Sequence, residues 1–309
     1  MSEDQETWDA EFAVGDPYER ERVRRHHEQM QAEDEQRRHE DMELHARTAY
    51  LRMRLGDFYI RSGRVDRALA EYKRAVKMDQ GNPVFRTRLG DTYVLKDMVD
   101  QAMKQYRQAI EHDPLLADPR VSLGDLYCRF GMFANAMEQY RIAVQAEPAR
   151  AYYRYKLAQA MVATGHAGEA VAELQTVVSL APNDAFYRFR LGDLYLRQGR
   201  LGEAIRELRQ ASRLAPYDTY YLVRYGIASL AAGRIVEAID ALRAALDMDP
   251  RNRCYQVLLA DAYQEAGMVE EAGKLLRRAG ELDSYELEFV GRRRLEFHRA
   301  GHDTAQGAG

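Results

Sequence analysis

The sequence predicts an all-α fold, an α-solenoid of helix-turn-helix repeats. Three observations carry that expectation. A Leu-Gly pair recurs at one constant spacing, further columns repeat in phase with it, and apolar residues inside each unit recur at spacings of three and four.

The anchor pairs are Leu55-Gly56, Leu89-Gly90, Leu123-Gly124, Leu157-Ala158, Leu191-Gly192, Tyr225-Gly226 and Leu259-Ala260. They tile residues 49–286 without gap or insertion, as 49–82, 83–116, 117–150, 151–184, 185–218, 219–252 and 253–286. The first helix of each unit carries this anchor, with a small residue that admits a close neighbour. The turn is marked by Gly63, Asp97, Gly131, Gly165, Gly199, Gly233 and Gly267. Glycine suits the left-handed end of a helix, and aspartate tolerates it. The second helix carries an unbroken column, Ala68, Ala102, Ala136, Ala170, Ala204, Ala238 and Ala272. The small anchor residue is expected to face this column. Pro114, Pro148, Pro182, Pro216 and Pro250 then stop the second helix. One such hairpin cannot bury its apolar faces alone, and stacked neighbours can. These columns are structural and carry no chemistry.

The pattern Leu191-Gly192, Tyr195, Gly199, Ala204, Leu208, Ala211, Pro216, with its period of thirty-four, resembles the tetratricopeptide repeat. One column departs from that family. Its fourth position, often Trp, is Arg52, Arg86, Arg120, Arg154 and Arg188, then Leu222 and Gln256. Arginine stems are expected to lie over the helix contact there. The resemblance implies a right-handed superhelix whose first helices line a concave groove. It also implies a role in holding other proteins, through short segments laid in that groove.

The groove positions implied by the resemblance are the columns to read for function. The ninth position holds Asp57, Asp91, Asp125, Gln159, Asp193, Ile227 and Asp261. Asp57–Arg61, Asp125–Arg129 and Asp193–Arg197 are spaced as pairs on one helix face, with Arg190 among the basic residues of the sixth position. Two readings stand side by side: solvated salt bridges worth about a few tenths of a kcal/mol each, or a polar ladder that grips a peptide. The second and fifth positions of the fourth to sixth units give Tyr152, Tyr155, Phe186, Phe189, Tyr220 and Val223, continued by Ile227 and Leu230. An aromatic strip of that kind is expected to contact a partner, unless adjacent helices cover it. Tetratricopeptide domains that clamp a chaperone's C-terminal carboxylate use Lys and Asn on the first helices. Here Asn82, Asn135, Asn183 and Asn252 all lie elsewhere, which argues against such a clamp.

The ends differ from the repeats. Residues 1–48 hold 15 acidic and 7 basic residues and read as a charged extension, helical or disordered. Within it, Trp8 and Phe12 form an apolar motif on an acidic tether. It is either an idle terminus or a segment that docks, in a partner or in the groove of a neighbouring copy. Residues 284–299 read as an amphipathic helix, so that 287–309 comprise a capping helix and a loose tail.

Composition narrows the function. The chain has 309 residues, 45 Lys+Arg against 49 Asp+Glu, and an apolar fraction of 46%. Net charge −4 and aspartates in the groove argue against nucleic acid. No long apolar run predicts membrane insertion and no signal peptide is read. Cys128 and Cys254 make no disulfide framework, which points to a reducing, cytoplasmic compartment. Arg outnumbers Lys 39 to 6, the mark of a GC-rich bacterial genome. His26, His27, His39 and His45 lack ligand spacing, and no phosphate loop or nucleophile elbow occurs, so neither a metal, a cofactor nor catalysis is expected. The sequence therefore reads as a non-catalytic scaffold for a protein or peptide partner. Self-assembly through Trp8 is the alternative, and a nucleic-acid-binding helical repeat comes third.

Overall fold

The computed structural model describes residues 17–280, 285–286 and 290–291. Trp8 and Phe12, the arginines 292–294 and most of the expected capping helix lie outside the described residues. Among the described residues there are fourteen α-helices and no strand. The chain divides into two compact units, Met1–Pro114 and Leu115–Gly309.

Unit one holds α1 (Pro17–Arg61), α2 (Val65–Met78), α3 (Pro83–Leu95) and α4 (Val99–His112). The extension and the first repeat's first helix are thus one helix, and the change at residue 48 is one of burial. Unit two holds α5 (Ala117–Arg129), α6 (Phe133–Ala146), α7 (Ala151–Ala163), α8 (Ala167–Leu180), α9 (Ala185–Arg197), α10 (Leu201–Leu214), α11 (Thr219–Ala231), α12 (Ile235–Met248), α13 (Arg253–Glu265) and α14 (Val269–Ala279). Within each unit, consecutive helices pack in antiparallel hairpins and each hairpin packs on the next, the pattern of a helical-repeat solenoid.

The local chemistry explains the helix lengths. At the turn after α9, Gly199 takes φ 72, and the Arg200 N–H reaches back to the Tyr195 carbonyl at 3.0 Å. That closes the helix end with a left-handed residue. Asp97 is the one described non-glycine residue with positive φ, at 58, and Met98 N–H closes the same bond to Tyr93 at 2.9 Å. The second helices stop two residues before each proline. Asp113, before Pro114, sits at φ −137 and ψ 95, extended as a pre-proline residue must be. Asn82, Asp184 and Asp218 cap the following first helices, each accepting from two backbone N–H groups.

The Ala column is buried throughout. The residue nearest the small anchor is a different one. A methyl on Gly56 would fall 2.6 Å from the Tyr72 ring, and one on Gly124 would fall 2.6 Å from Tyr140. In later hairpins the same place is taken by Leu208 against Gly192 and by Leu242 against Gly226. The arginine column does more than lay stems across the contact. Arg154 donates to Glu173 at 2.8 Å and to the Pro148 carbonyl at 2.8 Å; Arg188 donates to Glu207 at 2.9 Å and to the Pro182 carbonyl at 2.7 Å. Each guanidinium thereby ties its own second helix to the preceding turn. That is a charge-assisted polar contact where the family often places an indole.

At the C-terminal end, Val290 is buried against Val257 and Ala279, and Glu286 pairs with Arg253 at 3.1 Å.

Candidate functional site

The first helices α7, α9 and α11 of unit two bring the expected aromatic strip together. Asp184 and Asp218 cap the starts of α9 and α11 and fix where Phe186 and Tyr220 emerge. Tyr152, Phe186 and Tyr220, the second-position residues, keep 45%, 41% and 38% of their surface in solvent. Tyr155, Phe189 and Val223, the fifth-position residues, are buried, as are Ile227 and Leu230. The strip expected to be open is therefore a two-layer structure, with only its outer row facing water.

The reason is the contact register between successive first helices, which sets each fifth-position ring against the second and third positions of the next hairpin. Tyr155 meets Phe186 edge-on at 5.1 Å and Tyr187 at 5.5 Å. Phe189 meets Tyr220 at 5.3 Å and stacks on Tyr221 at 4.7 Å. Each buried ring thus supports the exposed ring of the next hairpin. Tyr187 and Tyr221, at the third position, belong to this arrangement although they lie outside the columns that the sequence singles out. Two cations line the row. Lys156 Nζ lies 5.3 Å from the Tyr152 ring, and the Arg190 guanidinium lies 5.7 Å from Tyr155 and 5.9 Å from Phe186. Burial pushes the Tyr155 hydroxyl pKa up, against the pull of Arg190 and Lys156.

The charged row follows the same register. Sixth-position cations reach the aspartate of the hairpin before them: Arg88 to Asp57 at 4.0 Å, Lys156 to Asp125 at 3.1 Å, and Arg224 to Asp193. Burial opposes charge on Lys156, but the Asp125 carboxylate beside it leaves its pKa raised. The pairs read along one helix fare differently. Asp193–Arg197 forms at 3.0 Å, with Asp193 itself buried. Asp57 accepts the Tyr72 hydroxyl at 2.7 Å, and Asp125 accepts that of Tyr140 at 2.5 Å. Arg61 and Arg129 are exposed. Asp57, Arg61, Arg88 and Asp91 line a polar hollow in unit one. In unit two a smaller pocket is walled by Tyr155, Gln159, Val162, Arg190, Asp193 and Arg197. The ladder is therefore chiefly a between-hairpin device. Its mark in the sequence is an aspartate column followed, in the next unit, by a cation column three positions ahead of that unit's own aspartate, as Arg88 stands before Asp91.

No group of three or more potential metal ligands occurs among the described residues. No helix there is long and apolar enough to cross a membrane. The surface presents held rings, two cations and, beside Tyr155 and Arg190, a pocket.

Comparison with known proteins identifies the family and the fold. The profile of the family described as cilia and flagella-associated protein 70 C-terminal domain matches residues 80–293, and that of the tetratricopeptide repeat matches residues 35–83. No curated protein matches significantly. Among solved structures, Pseudomonas aeruginosa pilF is 15% identical, with 72% of this chain and 98% of that one covered and a TM-score of 0.59. PilW, described as a type IV pilus biogenesis factor, is 20% identical over 65% and 94%, with a TM-score of 0.57. YrrB, described as having an unusual peptide-binding site, is 20% identical over 62% and 97%, with a TM-score of 0.54. At such identities the likeness is one of fold.

Proposed function

The chain belongs to the tetratricopeptide family described as cilia and flagella-associated protein 70 C-terminal domain, and from that premise we propose that it is a non-catalytic scaffold holding an extended protein segment against α7, α9 and α11. One observation carries the choice of surface. Tyr152, Phe186 and Tyr220 form an exposed row whose support comes from buried Tyr155 and Phe189. Rings fixed from behind lose little freedom when a guest covers them, so more of the contact energy appears as affinity. Lys156 and Arg190 beside the row favour a guest with acidic side chains, and Asp125, Asp193, Arg197 and the Tyr155 pocket supply polar edges. Arg129, on α5, is an outlying contact in this reading, and Asp57 and Arg61 of unit one are not part of it.

The test is recovery of partners from the source cell by the full chain and by Phe186→Ala plus Tyr220→Ala. Losing two anchor rings is expected to weaken binding by about tenfold or more. Helix content measured by circular dichroism should stay unchanged, because both rings are outer-row residues. Unchanged recovery would place the partner elsewhere.

A further inference from the structure

The first hairpin differs from later ones on one face. The third and tenth positions of a first helix point at the hairpin before it. They are buried as Phe85 and Thr92 in α3, and as Tyr153 and Ala160 in α7. In α1 the same positions are Leu51 and Phe58, and they are 65% and 59% exposed. A terminal repeat commonly turns a polar face outward; this one keeps a leucine and a phenylalanine. Leu44 lies seven residues before Leu51, ahead of the first repeat where no column asks for an apolar residue, and it is 63% exposed. Leu44, Leu51 and Phe58 share one line of the helix, drifting only ~20° per step of seven. Sevenfold spacing is how a helix presents a seam to a second helix, and an exposed apolar patch of this kind marks an interaction surface.

Charge decides what kind of helix fits. Upstream of the seam, residues 28–43 carry seven acidic residues and two arginines. Downstream, Arg61 and Arg64 stand at the hairpin turn, and no carboxylate among the described residues pairs with either. Arg67 leans on the Tyr59 ring. The helix is thus acidic at one end of the seam and basic at the other. Two copies side by side in parallel would set acid against acid. Set antiparallel, each end meets its opposite.

We propose that α1 pairs with α1 of a second copy of this chain, antiparallel, about a two-fold axis at Leu51. Leu51 then meets its own counterpart, and Leu44 meets Phe58 of the other copy, so the stripe is self-complementary as an isologous contact requires. Glu40 and Ser62 lie eleven residues to either side of Leu51. Glu40 and Asp41 of each copy therefore overlie the Arg61–Arg64 turn of the other. The contact stands independently of the α7–α9–α11 surface.

The experiment is light scattering on the full chain, with variants. The wild type is expected at twice 35.6 kDa, and Leu51→Glu plus Phe58→Glu at the single-chain mass with unchanged helix content. Leu51→Cys should form an intermolecular disulfide under mild oxidation. Ser62→Cys should not, since antiparallel pairing holds those positions about 33 Å apart. The unsubstituted chain controls for Cys128 and Cys254. A wild-type mass of 35.6 kDa, as a segment of the same chain over the stripe would give, overturns the proposal. So does a dimer that survives the double glutamate, or cross-linking through Ser62→Cys, which would mean parallel helices.

Discussion

Hairpins that place a tyrosine over the anchor glycine and hairpins that place a leucine there treat the same aspartate differently. With Tyr72 or Tyr140, the aspartate beside the glycine accepts the phenol; the cation from the next hairpin is Arg88, near solvent, in the first case and the half-buried Lys156 in the second. With Leu208 there is no hydroxyl. Asp193 instead draws Arg224 inward until the arginine side chain is 0% exposed, whereas Arg88, which faces Asp57, is 52% exposed. The most buried of these ion pairs thus stands where the second helix offers leucine and no hydroxyl. The repeat tolerates either because both satisfy the carboxylate.

The largest consequence is energetic. Arg224→Ala leaves Asp193 in a buried site with only Arg197, whose own side chain is 58% exposed, as its ionic partner. The expected loss is about 3–5 kcal/mol by chemical denaturation, because the exposed Arg197 compensates the buried carboxylate only in part and breaking a buried pair costs far more than the pair contributes. The matching change in unit one, Arg88→Ala, is expected to cost about 1 kcal/mol or less. Equal losses would break the comparison, since they would mean that burial does not set the value of the pair.

A second change probes the tyrosine side. Gly124→Ala pushes a methyl to 2.6 Å from the Tyr140 ring. The ring must move and its bond to Asp125 breaks, for an expected cost of about 1–3 kcal/mol. The chain already contains the compatible combination, Ala158 with Leu174. Gly124→Ala with Tyr140→Leu should therefore recover part of the loss, and a double-mutant cycle measures the coupling. Additive losses would mean that ring and methyl do not collide.

How much of this is legible in the sequence depends on what a period records. Phase repetition shows which positions are equivalent, so the glycine turns, the Ala column and the proline stops follow from residue type alone. It does not show which columns touch. Helical spacing assigns Asp193 to Arg197, one turn away, and that bond exists, but Arg224 on the next hairpin is the partner that is buried with it. Phe189 reads as open because nothing within its own helix covers it, while Tyr221 lies 4.7 Å away on the next hairpin. The offset between columns comes from helix packing, and neither propensity nor local charge encodes it. One trace is present. The aspartates of the first three units are followed, at one constant offset, by Tyr72, Tyr106 and Tyr140, and in later units Leu174, Leu208 and Leu242 stand in that column.

Alkaline pH probes the tyrosine–aspartate bonds, those over the anchor glycines and the one Tyr153 makes to Asp118 of the hairpin before it. Burial, then the hydrogen bond to Asp57, raises the Tyr72 pKa; burial and Asp125 do the same to Tyr140; burial, then Asp118, pushes Tyr153 up to about 12. A raised folded value means that the native state holds its proton more tightly than the unfolded chain. The stabilisation is complete below the unfolded tyrosine value of about 10 and is lost as pH climbs through about 12 for Tyr153. Tyr153→Phe should flatten the fall in stability over that window. An unchanged slope would mean that Tyr153 titrates alike in both states.

The smallest effect tests the place where the pattern lapses. Gln159 interrupts the aspartate column, so Arg190 on the next hairpin has rings where Arg224 has a carboxylate. Gln159→Asp restores the missing partner and should draw the guanidinium off Tyr155 and Phe186. The new half-exposed ion pair is worth about 0–1 kcal/mol, and the surrendered cation–π contacts about 0.5–1 kcal/mol. Stability should then barely move. Ring-proton shifts of Phe186 should change, and recovery of an acidic partner should fall because its cation is now taken. A gain of several kcal/mol would contradict this, because it would mean that Arg190 had been a buried, uncompensated charge and not a solvent-facing cation held in reserve for a guest.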